Sequence, residues 1–111
     1  MKIRSWVISA ALLVPSHAMA STQTGKVTWV AIGTTPPTAF VIDDGTRASK
    51  PACATDNAWV IPPTTDPSSQ QILSGVLTAF AAGKTVTANG TGACSSLQPN
   101  REQIGYITIT P

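Results

Sequence analysis

The hydrophobic pattern changes period along this chain, and each change marks an element. Residues 26–32 (Lys-Val-Thr-Trp-Val-Ala-Ile) are rich in β-branched and aromatic side chains and lie between Gly25 and Gly33, which predicts a first strand. Residues 39–42 (Ala-Phe-Val-Ile) predict a second, stopped by Asp43-Asp44-Gly45, whose Asp-Gly step is a turn signal. Residues 58–61 (Ala-Trp-Val-Ile) predict a third, ended by Pro62-Pro63. Residues 85–88 predict a fourth, followed by an Asn89-Gly90-Thr91-Gly92 turn. Residues 104–109 predict a fifth, with Gly105 marking a bulge. Residues 21–25 read as a polar lead-in, 34–38 as a stiff Pro-containing connector, and 46–57 and 95–101 as irregular segments.

Between the third and fourth strands the period shifts to 3.6. Ile72, Leu73, Val76, Leu77 and Phe80 fall on one face, Asp66 sits at an N-cap position with Pro67 behind it, and Gly83 supplies a stop before Lys84. A helix over residues 67–82 follows. Its other face (Gln70, Gln71, Ser74, Gly75, Thr78, Ala81, Ala82) carries no charge, whereas a solvated helix face usually pairs Lys with Glu. Either the whole protein is poor in charge or this face meets another surface.

The predicted order is β-β-β-α-β-β, mainly β with one helix. That order matches an OB-fold-like five-stranded Greek-key barrel, with the helix plugging one end through Ile72, Val76 and Phe80. Trp29, Trp59, Phe40 and Tyr106 would fill or rim the remainder, and both tryptophans read as core because they sit inside apolar strands. An open α+β sheet with the helix across one face is the alternative, since strand pairing is not readable from element order.

The N-terminus changes the picture of charge. Lys2 and Arg4 precede an apolar run from Trp6 to Val14, and Ala18-Met19-Ala20 completes the pattern of a secretory signal peptide over residues 1–20. The run is too short to span a bilayer, which takes about 20 residues. Cleavage after Ala20 leaves a single domain over residues 21–111. The full chain has seven Lys+Arg and five Asp+Glu; without Lys2 and Arg4 five of each remain, so the domain is formally neutral. Such a balance offers no electrostatic footprint for nucleic acid or anionic membrane, and no membrane insertion is expected once the signal is gone. The expected location is secreted or periplasmic.

Cys53 and Cys94 are the only cysteines, and in an exported chain they predict one disulfide. The sole histidine, His17, leaves with the signal. No metal site or cofactor is expected, and Asp43-Asp44-Gly45 reads as a turn because two carboxylates fall short of a calcium ligand set. The Asn89-Gly90-Thr91 glycosylation match is explained by the turn. Catalysis is not expected. Asp43 and Asp44, as neighbours, point to opposite sides, and Ser95 or Ser96 as nucleophile would need a base such as Lys84 that nothing in the spacing supplies.

A resemblance adds to this reading. Pro51-Ala52-Cys53 before Trp59, the helix Ile72-Leu73-x-x-x-Leu77-x-x-Phe80-Ala81-x-Gly83-Lys84, then Val86-Thr87, Gly90-Thr91-Gly92-x-Cys94 and Ile104-x-Tyr106-Ile107 resemble small secreted bacterial proteins similar to the binding subunit of subtilase-type AB5 toxins. The resemblance implies an OB-fold subunit that assembles as a ring of five, its helices lining a pore, and binds glycans on host cells. None of that family's sugar-binding residues maps onto a matching position here. The expected function is therefore an exported, non-enzymatic binding module, with a glycan as ligand and a homo-oligomer as assembly. The alternative is a structural or interaction protein of the cell envelope with no small ligand.

Overall fold

A computed structural model of the chain describes residues 20–35, 37–43, 46–63 and 67–111. The expected export signal (except Ala20), the Asp44-Gly45 turn step and the Asp66 cap lie outside the described residues. The elements are β1 (Thr22–Thr34), β2 (Pro37–Asp43), β3 (Trp59–Val60), α1 (Pro67–Ala82), β4 (Thr85–Cys94) and β5 (Glu102–Thr110). The strands close into a barrel in the order β1-β2-β3-β5-β4. Every pairing is antiparallel except β3 with β5, which run parallel. This is the OB-fold-like Greek-key barrel, and its closure excludes the open sheet.

Closure depends on the length of β1. Its first half pairs with β4 from Thr22↔Asn89 to Lys26↔Thr85, and its second half pairs with β2 from Lys26↔Asp43 to Thr34↔Pro37. Residues 22–25 are thus barrel strand rather than lead-in, and Ser21 and Gln23 are buried. Polar side chains are tolerated there because the barrel holds a polar cluster at that level, described below.

Two bulges turn aromatic side chains outward. In β1 the register passes from Val27↔Ile42 to Trp29↔Val41, so Thr28 is an extra residue. Simple alternation from buried Val27 would point Trp29 inward; the extra residue reverses it, and Trp29 is 43 % exposed while Val30 packs on the core. The expectation of Trp29 as core is corrected accordingly. In β5 the register passes from Gly90↔Ile104 to Asn89↔Tyr106, which leaves Gly105 as the bulged residue, as anticipated. Ile104 is buried and Tyr106 is 58 % exposed.

The helix bounds match the periodicity. Gly83 is left-handed (φ 64°), and the Lys84 amide donates to the Ala79 carbonyl at 3.0 Å, the 6→1 bond of a Schellman stop. Val76 and Ala79 join Phe40, Ile42, Trp59 and Ile104 in one core cluster, with Ile72 and Leu73 packed against it. Trp59 and Phe40 are fully buried, as expected. Phe80, one turn beyond Val76, is 47 % exposed, and Leu77 also faces outward. Periodicity gives the angle of a side chain about the helix axis, not how far the covering surface reaches along it. The plug is therefore Ile72, Val76 and Ala79, without Phe80.

Candidate functional site

The face of the barrel beside α1 contains a groove of about 410 Å³, lined from the helix by Ser68, Gln71, Ile72 and Gly75 and from β5 by Gly105, Tyr106, Ile107 and Ile109. The Gly105 bulge brings Tyr106 to this position. The helix lies close to β5 at Gly75, where a Cβ would be 3.1 Å from Ile107 Cδ1 and 3.4 Å from Ile109 Cδ1, the flexible ends of both side chains. The groove is within the usual size of a small-ligand site, roughly 300–1,000 Å³. Its lining combines an exposed aromatic ring, hydroxyl and amide side chains, and isoleucines, with no Asp, Glu, Lys or Arg.

A second aromatic position lies at Trp29. Arg101 stands over its ring, 5.9 Å from the centroid, and is held by Asp56 Oδ2 at 3.0 Å and Gln98 Oε1 at 2.8 Å. The Ala58 amide and Arg101 hold the Asp56 carboxyl below the usual aspartate range, against a smaller opposing effect of burial.

The chemistry-bearing groups that the sequence reading missed are inside. Glu102, fully buried, accepts from Arg47 Nη2 at 3.0 Å, the Gly92 amide at 3.1 Å, the Ser21 amide at 3.3 Å and the Ser21 hydroxyl. Arg47 Nε donates to Ser21 Oγ at 3.0 Å, and its guanidinium lies 3.6 Å from the centroid of the Trp59 ring. That ring face partly offsets the absence, among the described residues, of a hydrogen-bond partner for Nη1. Burial pushes the Arg47 pKa below its ordinary value, and Glu102 pulls the other way. Trp59 Nε1 donates to Gln23 Oε1 at 3.0 Å, and Gln23 Nε2 donates to the Ile42 carbonyl at 3.3 Å.

Gly90 belongs to this cluster, which corrects its reading as a turn residue. Residues 89–92 are part of β4. A Cβ at Gly90 would overlap the Glu102 carboxylate and lie 2.8 Å from Trp59 Cζ3. Gly92, with φ 82°, aims its amide at the same carboxylate. An isolated glycine inside a strand pattern was the only available signal, since it marks close approach as well as turns.

Cys53 and Cys94 form the expected disulfide, which pins residues 46–57 to the end of β4. The same segment is held by an Ala48↔Thr22 bridge and by the Asp56 amide on the Asn100 carbonyl at 3.0 Å. Of the weighed catalytic residues, Asp43 ends β2 exposed and Asp44 lies outside the described residues. Ser95 is buried, its Oγ accepting from the Leu97 amide at 3.2 Å, while Ser96 and Lys84 are exposed. No group of three or more His, Cys, Asp or Glu among the described residues could hold a metal ion, and no helix there is long and apolar enough to cross a membrane.

Comparison of the chain with protein-family models, with curated proteins and with solved structures gives no match.

Proposed function

We propose that this chain is an exported, non-enzymatic binding module and that a neutral glycan docks in the groove between α1 and β5. Tyr106 carries this reading: its exposed ring borders a concave site whose other polar groups are a hydroxyl and an amide. A sugar presents an apolar C–H face suited to an aromatic ring and hydroxyls suited to Ser68 and Gln71. The uncharged lining favours a neutral ligand over an anion. Trp29 suits the role less well because Arg101 already stands over its ring. The disulfide supports an oxidising compartment, secreted or periplasmic. The resemblance to subtilase-type toxin binding subunits adds the expectation of a ring of five.

A glycan array probed with processed protein tests the assignment. Binding to a defined set of glycans, weakened about tenfold or more by Tyr106→Ala (about 1.4 kcal/mol) and unaffected by Trp29→Ala, supports it. A folded sample that binds none overturns it.

A structural or interaction role in the cell envelope, with no small ligand, is the second reading. It is favoured by Leu77 and Phe80, exposed on a helix whose outer face has no charge. Light scattering separates assembly from its absence: a ring or other oligomer dispersed by Phe80→Ser assigns that face to subunit contact, and a stable monomer removes the ring of five.

A further inference from the structure

The chain enters the barrel at Ser21. Ala20 is exposed, and the next residue is fully buried, its carbonyl accepting from the Gly90 amide at 2.9 Å. The Ser21 nitrogen points at Glu102 Oε2 from 3.3 Å, the longest of the four hydrogen bonds that the carboxylate accepts. This nitrogen belongs to the peptide bond that the Ala18-Met19-Ala20 pattern marks for cleavage.

We propose that hydrolysis of the Ala20–Ser21 bond makes the Ser21 α-ammonium a second cationic partner of buried Glu102, so that processing itself tightens the barrel. The inference rests on reading residues 1–20 as an export signal. In the uncut chain the Ser21 nitrogen is a neutral amide with one hydrogen to donate. Water adds to the Ala20 carbonyl carbon, the C–N bond breaks, the added oxygen stays with Ala20 as a carboxylate, and the released amine takes up a proton. The α-amino group, ordinarily titrating near 7.7–8.0, then faces a carboxylate at hydrogen-bond distance. A charge-assisted bond of this kind is shorter and roughly twice as strong as the neutral one it replaces.

Two charged groups from other elements face the new ammonium. Glu102 of β5 attracts it, and Arg47 of the 46–58 segment repels it. Glu102 contacts the nitrogen itself, whereas Arg47 contacts the Ser21 hydroxyl, so attraction acts over the shorter path. With its folded pKa raised, the ammonium contributes stability that is fully present below about pH 8. That contribution is lost as pH rises through the raised value.

The intact mass of the exported protein comes first: a chain beginning at Ser21 is required, and any other start overturns the proposal at its first premise. The α-amine of that protein is then titrated by its rate of acetylation. A value above the ordinary range supports the pairing, and an ordinary or lowered value overturns it even though the export reading stands. Urea midpoints of the processed chain and of a chain retaining two extra residues before Ser21 complete the test. The processed chain is expected to have the higher midpoint near pH 6, with the gap closing by about pH 10. A gap that does not change with pH overturns the proposal. Where Glu102→Gln folds, the gap should vanish in it; a persistent gap is a further refutation.

Discussion

Gly90 of β4 and Glu102 of β5 share one volume: the buried carboxylate occupies the space that a Cβ on Gly90 would need. Around it the β4–β5 register slips between Gly90↔Ile104 and Cys94↔Glu102, which sets the Gly92 amide onto the carboxylate. The polar cluster is thus built by distortion of a hairpin, and the two glycines permit it.

Alanine should therefore have opposite consequences at two glycines. Gly90→Ala forces the Cβ into Glu102 and Trp59, and overpacking plus a displaced buried carboxylate should lower stability by about 3 kcal/mol or more. At Gly75 the closest atoms are the mobile ends of Ile107 and Ile109, and alanine gains up to about 1 kcal/mol of helix propensity. Gly75→Ala should be neutral or slightly stabilising. Urea unfolding of both variants checks the contrast, and equal losses would contradict it.

Arg47 and Glu102 should be strongly coupled, because either one alone would be a buried charge without its partner. Arg47→Met or Glu102→Leu should each cost about 3–5 kcal/mol, whereas the two together should cost clearly less than the sum. Unfolding free energies around this cycle give the coupling directly. Additive losses would mean that the Ser21 and Gly92 contacts, rather than Arg47, satisfy the carboxylate.

What could be read in the sequence was local. Residues 67–82 declared a helix through a 3.6-residue period closed by Gly83, and its bounds hold to the residue. The two cysteines of the chain have only each other to pair with, and they do. Trp59 lies in a short apolar run with no bulge and is core. What could not be read depends on distant partners. Thr28 looks like one more strand residue until its pairing with β2 leaves it unmatched and turns Trp29 outward. Arg47 and Glu102, 55 positions apart, look like solvated surface charges in sequence, and Ser21 looks like a tail. Asn89-Gly90 reads as a turn step, yet the glycine answers to a carboxylate twelve residues later.

Asp56 should make the domain acid-sensitive in a defined window. Its carboxyl titrates below the ordinary aspartate value, chiefly because the Ala58 amide donates to it, with Arg101 adding to the effect. A lowered folded pKa means that its contribution is present above the unfolded value, about 3.9, and is lost as pH falls through the folded one. Asp56→Asn should be less stable than the parent at neutral pH, and the two should converge as pH falls through the lowered folded value. The carboxylate is partly exposed, so high salt should shrink the difference. Thermal midpoints between pH 7 and 2 test this. A difference independent of pH would point to geometry rather than charge.

Removing the disulfide should weaken the domain without dismantling it. The Cys53–Cys94 bridge spans 41 positions, and closing a loop of that length stabilises by about 4 kcal/mol in the chain-entropy estimate. The segment it restrains carries Arg47 and has two further anchors, the Ala48↔Thr22 bridge and the Asp56–Asn100 bond. The barrel core lies elsewhere, among Phe40, Ile42, Val76, Val86 and Ile104. Cys53→Ala with Cys94→Ala should therefore unfold cooperatively at lower urea, with far-ultraviolet dichroism unchanged before the transition. The Trp59 environment should become more polar as Arg47 loosens above its ring. A variant that loses less than about 1 kcal/mol would contradict the chain-entropy estimate for this bridge. One that never folds would make the bridge a condition of barrel closure, contrary to the extent of the core.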